Sequence, residues 1–464
     1  MDGNFAPIQP TKRASFRTLA LLITAIVLGA TLRLMWGDDI EHKLDEAYLF
    51  HSAQNLSEID NPWLGMPTSH RFPNPGLSTW IFAAPTQWLN LSSPVELARF
   101  VQISNVLAIL LLLWFSWRWV PREEREPWLW AVALVCLNPM AVLFHRKIWP
   151  PSVLPFFSVL LLMSWWKRES RLGSFFWGLL AVLMLQIHLG GLFYAGGIFL
   201  WSFFFSRSTV RWKWWLLGSC LAALPMIPWL AHLLTMTHDS NGTTFQISRW
   251  FELKFWTHWA TEPFGIGLKY SLSGNFNEFL RYPLLDGRPT YLMAGLHGLI
   301  LLITVGSLAL ALRGWLKQKK DWRNWLSGGG SRGRMIVQAV VVGYGILFTL
   351  AALRFYRHYL VLTFPFMYVW AAIVILKCNK RSRFELRLRR LTLSILCVAQ
   401  LVLTITFMSY IHNKGGAPLG DYRWTYRAQM MTWKSQGGIQ PTEHLLANDG
   451  VQITEATLTD RQSK

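Results

Sequence analysis

SFFWGLLAVLMLQIHLGGLFYAGGIFLWSFFF, residues 174–205, is 32 residues of apolar chain with no Asp, Glu, Lys or Arg and a pair of glycines near its middle. As one helix it would run about 48 Å at 1.5 Å per residue, well beyond a hydrocarbon core of about 30 Å. It would also put its flanking basic clusters, KRESR (167–171) and SRSTVRWK (206–213), on opposite faces of a membrane, against the tendency of Lys and Arg to stay on the cytoplasmic side. Breaking the run at Gly190-Gly191 gives two spans and returns both clusters to one side. The parity of every other segment follows from that break.

Working outward, apolar runs between basic clusters give eleven spans. They are 18–36, 98–119, 128–145, 149–166, 174–189, 191–205, 213–233, 289–313, 335–353, 358–376 and 391–411. The first follows Lys12, Arg13 and Arg17 and has no small-residue cleavage site after it, so it reads as an uncleaved signal anchor with a cytoplasmic N-terminus. The expected fold is an all-α polytopic membrane protein of about eleven transmembrane helices with juxtamembrane helices on its outer face. The expected division is a transmembrane domain, 1–411, and a short outer tail or cap, 412–464. PGLSTWIFAAPTQWL (75–89) is apolar enough to tempt a twelfth crossing. That crossing would move every later basic loop outside, so the segment is expected to lie along the outer surface or re-enter it. RWFELKFWTHW (249–259) interleaves aromatic and charged residues at helical spacing, which suits a helix in the interface. No inverted or tandem repeat is evident.

Composition agrees with a membrane protein. Of 464 residues, 52% are hydrophobic, with 27 Trp and 29 Phe. The net charge of +20 would suit a nucleic-acid binder, but its placement does not. The cytoplasmic segments, with Arg118, Lys213 and Arg313 at span edges, hold 26 of the 45 Lys and Arg and 7 of the 25 acids, which is +19 of the excess. The natural partner of that charge is anionic lipid, and no nucleic-acid role is needed. Cys136, Cys220 and Cys397 fall in apolar runs and Cys378 on the cytoplasmic side, so the outer loops hold no thiolate metal cluster.

The outer pieces 37–97 and 234–288 are large, and the candidate chemistry begins in the first. In DEAYLFHSAQNL (45–56), Asp45, Tyr48, Ser52 and Asn55 share one helical face, opposite Leu49, Phe50, Ala53 and Leu56. An Asp ahead of such a run is commonly an N-cap, with Glu46 favouring the positive helix end. Company tells against capping alone. His70 and Arg71 close the same loop, Arg146 and Lys147 sit in FHRKIWPPS (144–152), and Arg354, Arg357 and His358 crowd LRFYRHYLVLTFPF (353–366), all against the positive-inside bias. Lys147 and Arg354 read more simply as side chains snorkelling at helix ends. Taken together, the bases are cationic donors for a phosphate beside a carboxylate that can remove a proton. His188, at the Gly190-Gly191 turn, sits at the same depth; a lone His in a span is more often a packed interior residue.

The order of an outer-loop Asp-Glu-x-Tyr helix, a basic-aromatic-Pro stretch, an Arg at the next outer turn, a His in the fifth span and an Arg-x-Tyr-Leu element before a Pro resembles the GT-C integral-membrane glycosyltransferases. The resembling branch holds the protein O-mannosyltransferases and aminoarabinose transferases (family 39-like). It covers about 420 residues through short motifs. The resemblance implies an inverting transfer of a sugar from a polyprenyl-phosphate carrier, such as undecaprenyl phosphate, on the outer leaflet, with a lipid, glycan or protein as acceptor; the compact loops suit a bacterial inner membrane, with the endoplasmic reticulum as the alternative. Asp45 is then the base and Glu46 its orienting partner. Arg71, His70, Arg146, His188, Arg357, His358 and Tyr359 are the residues for phosphate and lipid-linked sugar. Two departures stand out: the Lys-Pro or His-Pro after the first outer loop is Asn74-Pro75 here, and the first Pro of the late motif is Leu362, with Pro365 present. No metal site is expected from ligand spacing, although three scattered ligands could hold a divalent ion. The rival reading is a transporter or flippase for the same lipid, which also needs a phosphate site and an apolar groove; charges gathered at one interface and missing repeats weigh against it.

Overall fold

The structure is a computed structural model and describes residues 16–58, 60–68, 72–236, 247–317, 322–376, 383–420 and 422–436. His70 and Arg71 lie outside the described residues. In chain order the helices are α1 (Phe16–Leu34), α2 (Leu44–Gln54), α3 (Leu77–Trp88), α4 (Pro94–Arg118), α5 (Arg125–Leu137), α6 (Pro139–Phe144) and α7 (Pro150–Trp166). Then come α8 (Arg171–Ile187), α9 (Gly191–Ser206), α10 (Trp212–Ala223), α11 (Ile227–Thr235), α12 (Lys254–Thr261), α13 (Leu268–Leu272) and α14 (Phe276–Phe279). The last are α15 (Leu292–Lys317), α16 (Trp322–Leu326), α17 (Arg332–Gln338), α18 (Gly345–Leu350), α19 (Phe366–Leu376), α20 (Arg383–Lys414) and α21 (Tyr426–Gln436). The described strands form two short antiparallel ribbons, Leu64–Pro67 with Pro73–Pro75 and Leu284–Leu285 with Arg288–Pro289. Each of the eleven expected spans is helical. Among the described residues, five helical stretches can cross a membrane by length and composition: Pro94–Arg118, Trp212–Thr235, Leu292–Arg313, Arg332–Leu350 and Arg383–Lys414. The stretch Arg357–Thr363 with α19 makes a sixth if its 83° bend at Phe364-Pro365 is counted within one span.

The run 174–205 is broken where its glycines stand. The α8 helix ends at Ile187 and α9 begins at Gly191. In the turn the Gly190 N–H donates to His188 Nδ1 at 3.1 Å. A Cβ on Gly191 would lie 2.6 Å from the Met184 carbonyl, so the second helix can start this close to the first only without a side chain.

The break sorts the connections to two ends of the bundle. At one end Lys147 meets Glu41, His188 meets His358 and Tyr359, Arg357 meets Glu262, and Lys414 meets Glu278. At the other, Arg390 binds Glu126, Arg332 and Arg211 reach Glu169, and Trp201 Nε1 donates to the Leu326 carbonyl. These groups coincide with the segments expected outside and inside, so the alternation derived from charge is also how the helices pack. We call the ends the loop end and the basic end.

Residues 75–89 contain the 12-residue α3, about 18 Å long and too short to cross a 30 Å core. It packs against α2, α4 and α8. The 249–259 segment divides its aromatic residues, with Trp250 and Phe251 exposed and the later rings turned inward. It is a turn (Ile247–Phe251) followed by α12, and Phe255, His258 and Trp259 are buried. Phe255 packs edge-on against Tyr344 and Phe355, and Trp259 against Trp370, so these rings fill the protein interior rather than a lipid interface.

After α20 the chain folds back across the loop end. Isolated antiparallel bridges join Glu41 to Thr425 and Gly416 to Trp424. Asp39, fully buried, takes His412 Nδ1 at 2.6 Å and Arg427 Nε at 2.7 Å, and Tyr426 N–H donates to the Ile40 carbonyl at 2.9 Å. The turn leading into α2 is therefore pinned from above.

Candidate active site

The acidic pair opens α2. The N-cap is Lys43, extended at φ −139° and ψ −170°, and it makes no side-chain cap. Asp45 and Glu46 are the second and third helical residues, so Asp45 is not the capping residue that its sequence context allowed. Glu46 turns with Ala47, Leu49, Phe50 and Ala53 into the interior, where its Oε2 finds no hydrogen-bond partner among the described residues. Ser52, expected on the polar face, is buried too. Asp45 is half-buried and makes no hydrogen bond or ion pair with any described residue.

Beside them lies a third acid that sequence reasoning passed over. Glu41 is buried, with Lys43 Nζ at 3.1 Å and Lys147 Nζ in a closer ion pair. Burial works to raise the Glu41 carboxyl, but the charges of Lys147 and Lys43 outweigh it and hold Glu41 below its ordinary value. Burial, reinforced by the Glu41 charge, pushes Glu46 up to about 8. Burial also raises Asp45, offset in part by Lys43 and Lys147. Lys43 is held above its ordinary value: burial acts to lower it, and Glu41 and Glu46 more than compensate.

Aromatic rings form the facing wall. Trp149 meets His358 edge-on at 4.4 Å between centroids, His188 lies 5.1 Å from Tyr359, and Tyr356 stacks on His358. Lys147 and Arg357 both stand over the Phe144 ring, at 5.2 and 5.5 Å. Arg357 is buried; its Nε is 2.9 Å from Glu262 Oε1, its Nη1 donates to Ser271 Oγ at 3.0 Å, and its Nη2 has no hydrogen-bond partner among the described residues. His258 backs Glu262 at 3.5 Å. Lys43, Lys147, Arg357 and His188 all lie within electrostatic reach of His358.

Of the residues expected at the site, the structure therefore gathers Asp45, Glu46, His188, Arg357, His358 and Tyr359 at one end. Arg146 is committed elsewhere: Nη1 donates to the carbonyls of Leu32, Arg33 and Met35 and Nη2 to that of Trp36, closing the C-terminus of α1. Lys147, expected to snorkel, points inward instead. The residues missed are Glu41, Lys43, Glu262, Ser271 and Trp149. Glu41 and Lys43 carried a signal, an unusual density of charge in EHKLDE (41–46). Glu262 carried little beyond being a lone acid in an apolar stretch.

Among the described residues no three His, Cys, Asp or Glu side chains stand together as a metal site would require. A half-exposed carboxylate without a partner among the described residues, flanked by ammonium groups and gathered at one end with aromatic rings and a buried guanidinium, can accept a proton beside a bound phosphate.

No protein-family model and no curated protein matches the chain. Among solved structures, it is similar to the apo oligosaccharyltransferase of Archaeoglobus fulgidus at 15% identity and a TM-score of 0.49, over 95% of this chain and 60% of that one. The chain thus spans about three-fifths of the archaeal enzyme's length. It is similar at 13% identity and a TM-score of 0.43 to the same organism's AglB in complex with an inhibitory peptide and a dolichol-phosphate, covering 94% and 60% of the two chains. It is similar also to ArnT from Cupriavidus metallidurans bound to undecaprenyl phosphate, at 11% identity and a TM-score of 0.44, over 85% of this chain and 76% of that one.

Proposed function

We propose that the protein is an inverting glycosyltransferase of the outer face of a bacterial inner membrane, moving a sugar from a polyprenyl-phosphate carrier to a hydroxyl or amine on a lipid, glycan or protein. The observation that carries this reading is Asp45: a carboxylate in the first turn of α2 that caps nothing and pairs with no described residue, while every other acid around it is either ion-paired or buried. Partial burial raises its proton affinity, which suits a general base working near neutrality.

Outside the cytoplasm no nucleotide-sugar pool exists, so an activated sugar must arrive on a lipid. Its phosphate is then a leaving group at headgroup depth, where fixed cations stabilise developing charge better than in bulk water. Such a leaving group needs no proton from an acid. Asp45 takes the acceptor's proton as the acceptor attacks the anomeric carbon, the carbon–oxygen bond to phosphate breaks, and Arg357 Nη2 receives the departing charge. A single displacement inverts the anomeric centre. The aromatic wall of Trp149, His358 and Tyr359 is the natural partner of the sugar face, and the prenyl chain, lying among the spans, orients the reacting carbon.

The test is turnover of radiolabelled polyprenyl-phosphate monosaccharides by the purified protein in detergent, comparing wild type with Asp45→Asn. A fall of about 100-fold or more supports Asp45 as base. Equal turnover in both proteins removes it from that role. Absence of turnover with every donor, together with labelled lipid crossing vesicle leaflets, replaces transfer by transport.

A further inference from the structure

Three carboxylates from one short segment, Glu41, Asp45 and Glu46, are the ligand type that hard divalent cations require. Here they do not stand together as a ligand set, and the cation beside Glu41 is the protein's own. Lys147 Nζ is ion-paired with Glu41, and its charge acts on all three carboxylates and on His358. The side chain is buried, and the faces of Phe144, Trp149 and Tyr422 surround the ammonium at 5.2, 5.6 and 5.9 Å. Such an aromatic cage holds a cation in place and strips it of water. Tyr422 is itself fixed from the far side, its hydroxyl donating to the Asp39 carbonyl, so the C-terminal fold-back completes the cage.

The charge balance points the same way. Lys147 and Lys43 both stand against Glu41, and two ammonium groups repel a dication. The donor set therefore does not fit a divalent metal.

We propose that Lys147, paired with Glu41 inside its aromatic cage, is the resident cation of this site, so that the site binds no divalent ion and works without one. The activity part of this inference rests on the proposed transfer reaction; the binding part does not. Lys147 and Arg357, over the same Phe144 ring, then supply as side chains the positive charge that a phosphate leaving group needs.

Mn²⁺ is titrated into the purified full-length chain and followed by electron paramagnetic resonance, with Asp45→Asn alongside. The expected result is no Mn²⁺ bound in a manner that depends on Asp45. One bound Mn²⁺ per chain, lost in Asp45→Asn, overturns the proposal. In turnover of a polyprenyl-phosphate sugar, wild type dialysed against EDTA is expected to stay within about twofold of untreated protein. Loss with EDTA and restoration by Mg²⁺ or Mn²⁺ overturns it. Lys147→Met is expected to fall about 100-fold or more and Lys147→Arg by less than about tenfold; a Lys147→Met protein as active as wild type overturns it. Should Lys147→Met fail to fold, the EDTA and Mn²⁺ measurements on wild type decide alone. Should wild type turn over no donor, the transfer reading fails and the Mn²⁺ titration still decides this one.

Discussion

Arg357 and Glu262, 95 residues apart in sequence, form a buried ion pair at 2.9 Å that, with Ser271 Oγ 3.0 Å from Nη1, fixes the guanidinium and leaves Nη2 buried without a hydrogen-bond partner among the described residues. The pair joins the segment after α11 to the turn before α19. An arginine held in this way presents one fixed donor to an anion instead of searching for it, which lowers the ordering cost of binding. Glu262→Gln keeps the shape and removes the charge that fixes Nε. The expected outcome is a rise of about tenfold or more in the KM for a polyprenyl-phosphate sugar with a smaller change in kcat. Glu262→Ala strands a buried guanidinium and is expected to destabilise the protein by about 3–5 kcal/mol. An unchanged KM in Glu262→Gln would remove Arg357 from donor binding.

Glu46 makes stability depend on pH in a defined direction. Its folded-state value is raised to about 8 from an ordinary 4.5, by burial first and by the Glu41 charge second. A raised carboxyl binds its proton more tightly folded than unfolded, so its contribution is fully present below about pH 4.5 and is lost as pH rises towards about 8. Thermal unfolding in detergent is expected to show Glu46→Gln with a flatter pH dependence than wild type, gaining relative stability between pH 5 and pH 8. Parallel curves would mean that Glu46 does not titrate in this window.

Arg146 tests the difference between a ligand and a clamp. Its four hydrogen bonds go to carbonyls of residues 32–36, each a charge-assisted bond in a buried setting. Hydrogen bonds to charged groups contribute about 1.5–3 kcal/mol each, and loss of several together is not additive. Arg146→Met is therefore expected to cost about 3 kcal/mol or more of stability, read by denaturant unfolding, while the folded fraction keeps the wild-type KM for donor. A raised KM with unchanged stability would return Arg146 to phosphate binding.

The helical fold was legible because a membrane imposes a simple code: apolar length and the placement of Lys and Arg determine alternation, and packing at the two ends follows the same alternation. Asp45, Glu46 and Arg357 were legible as charges in the wrong place. Glu41 was not, since nothing in local periodicity says that a residue three positions before a helix turns inward; that depends on Lys147, over 100 residues away, and on Thr425 bridging from the far end of the chain. Arg146 and Lys147, adjacent in sequence, show the same limit. One caps α1 and the other enters the acid cluster, and only the break between α6 and α7 decides which does which.

The Gly190-Gly191 turn carries the last prediction. A Cβ on Gly190 would touch first the His188 ring, at 3.0 Å, which is side chain and not backbone. A Cβ on Gly191 would instead meet the Met184 backbone at 2.6 Å, and backbone within a helix yields only if the whole turn shifts. Gly191→Ala is thus expected to cost about 1–3 kcal/mol, the range of overpacking in a close-packed interior, and Gly190→Ala distinctly less. The turn also sets His188 against Tyr359 and His358, so the Gly191 variant is expected to lose activity along with stability. Thermal unfolding of the two variants side by side reads the difference. Equal stability would show that the break in the run 174–205 is held by packing elsewhere and not by the absence of a side chain at Gly191.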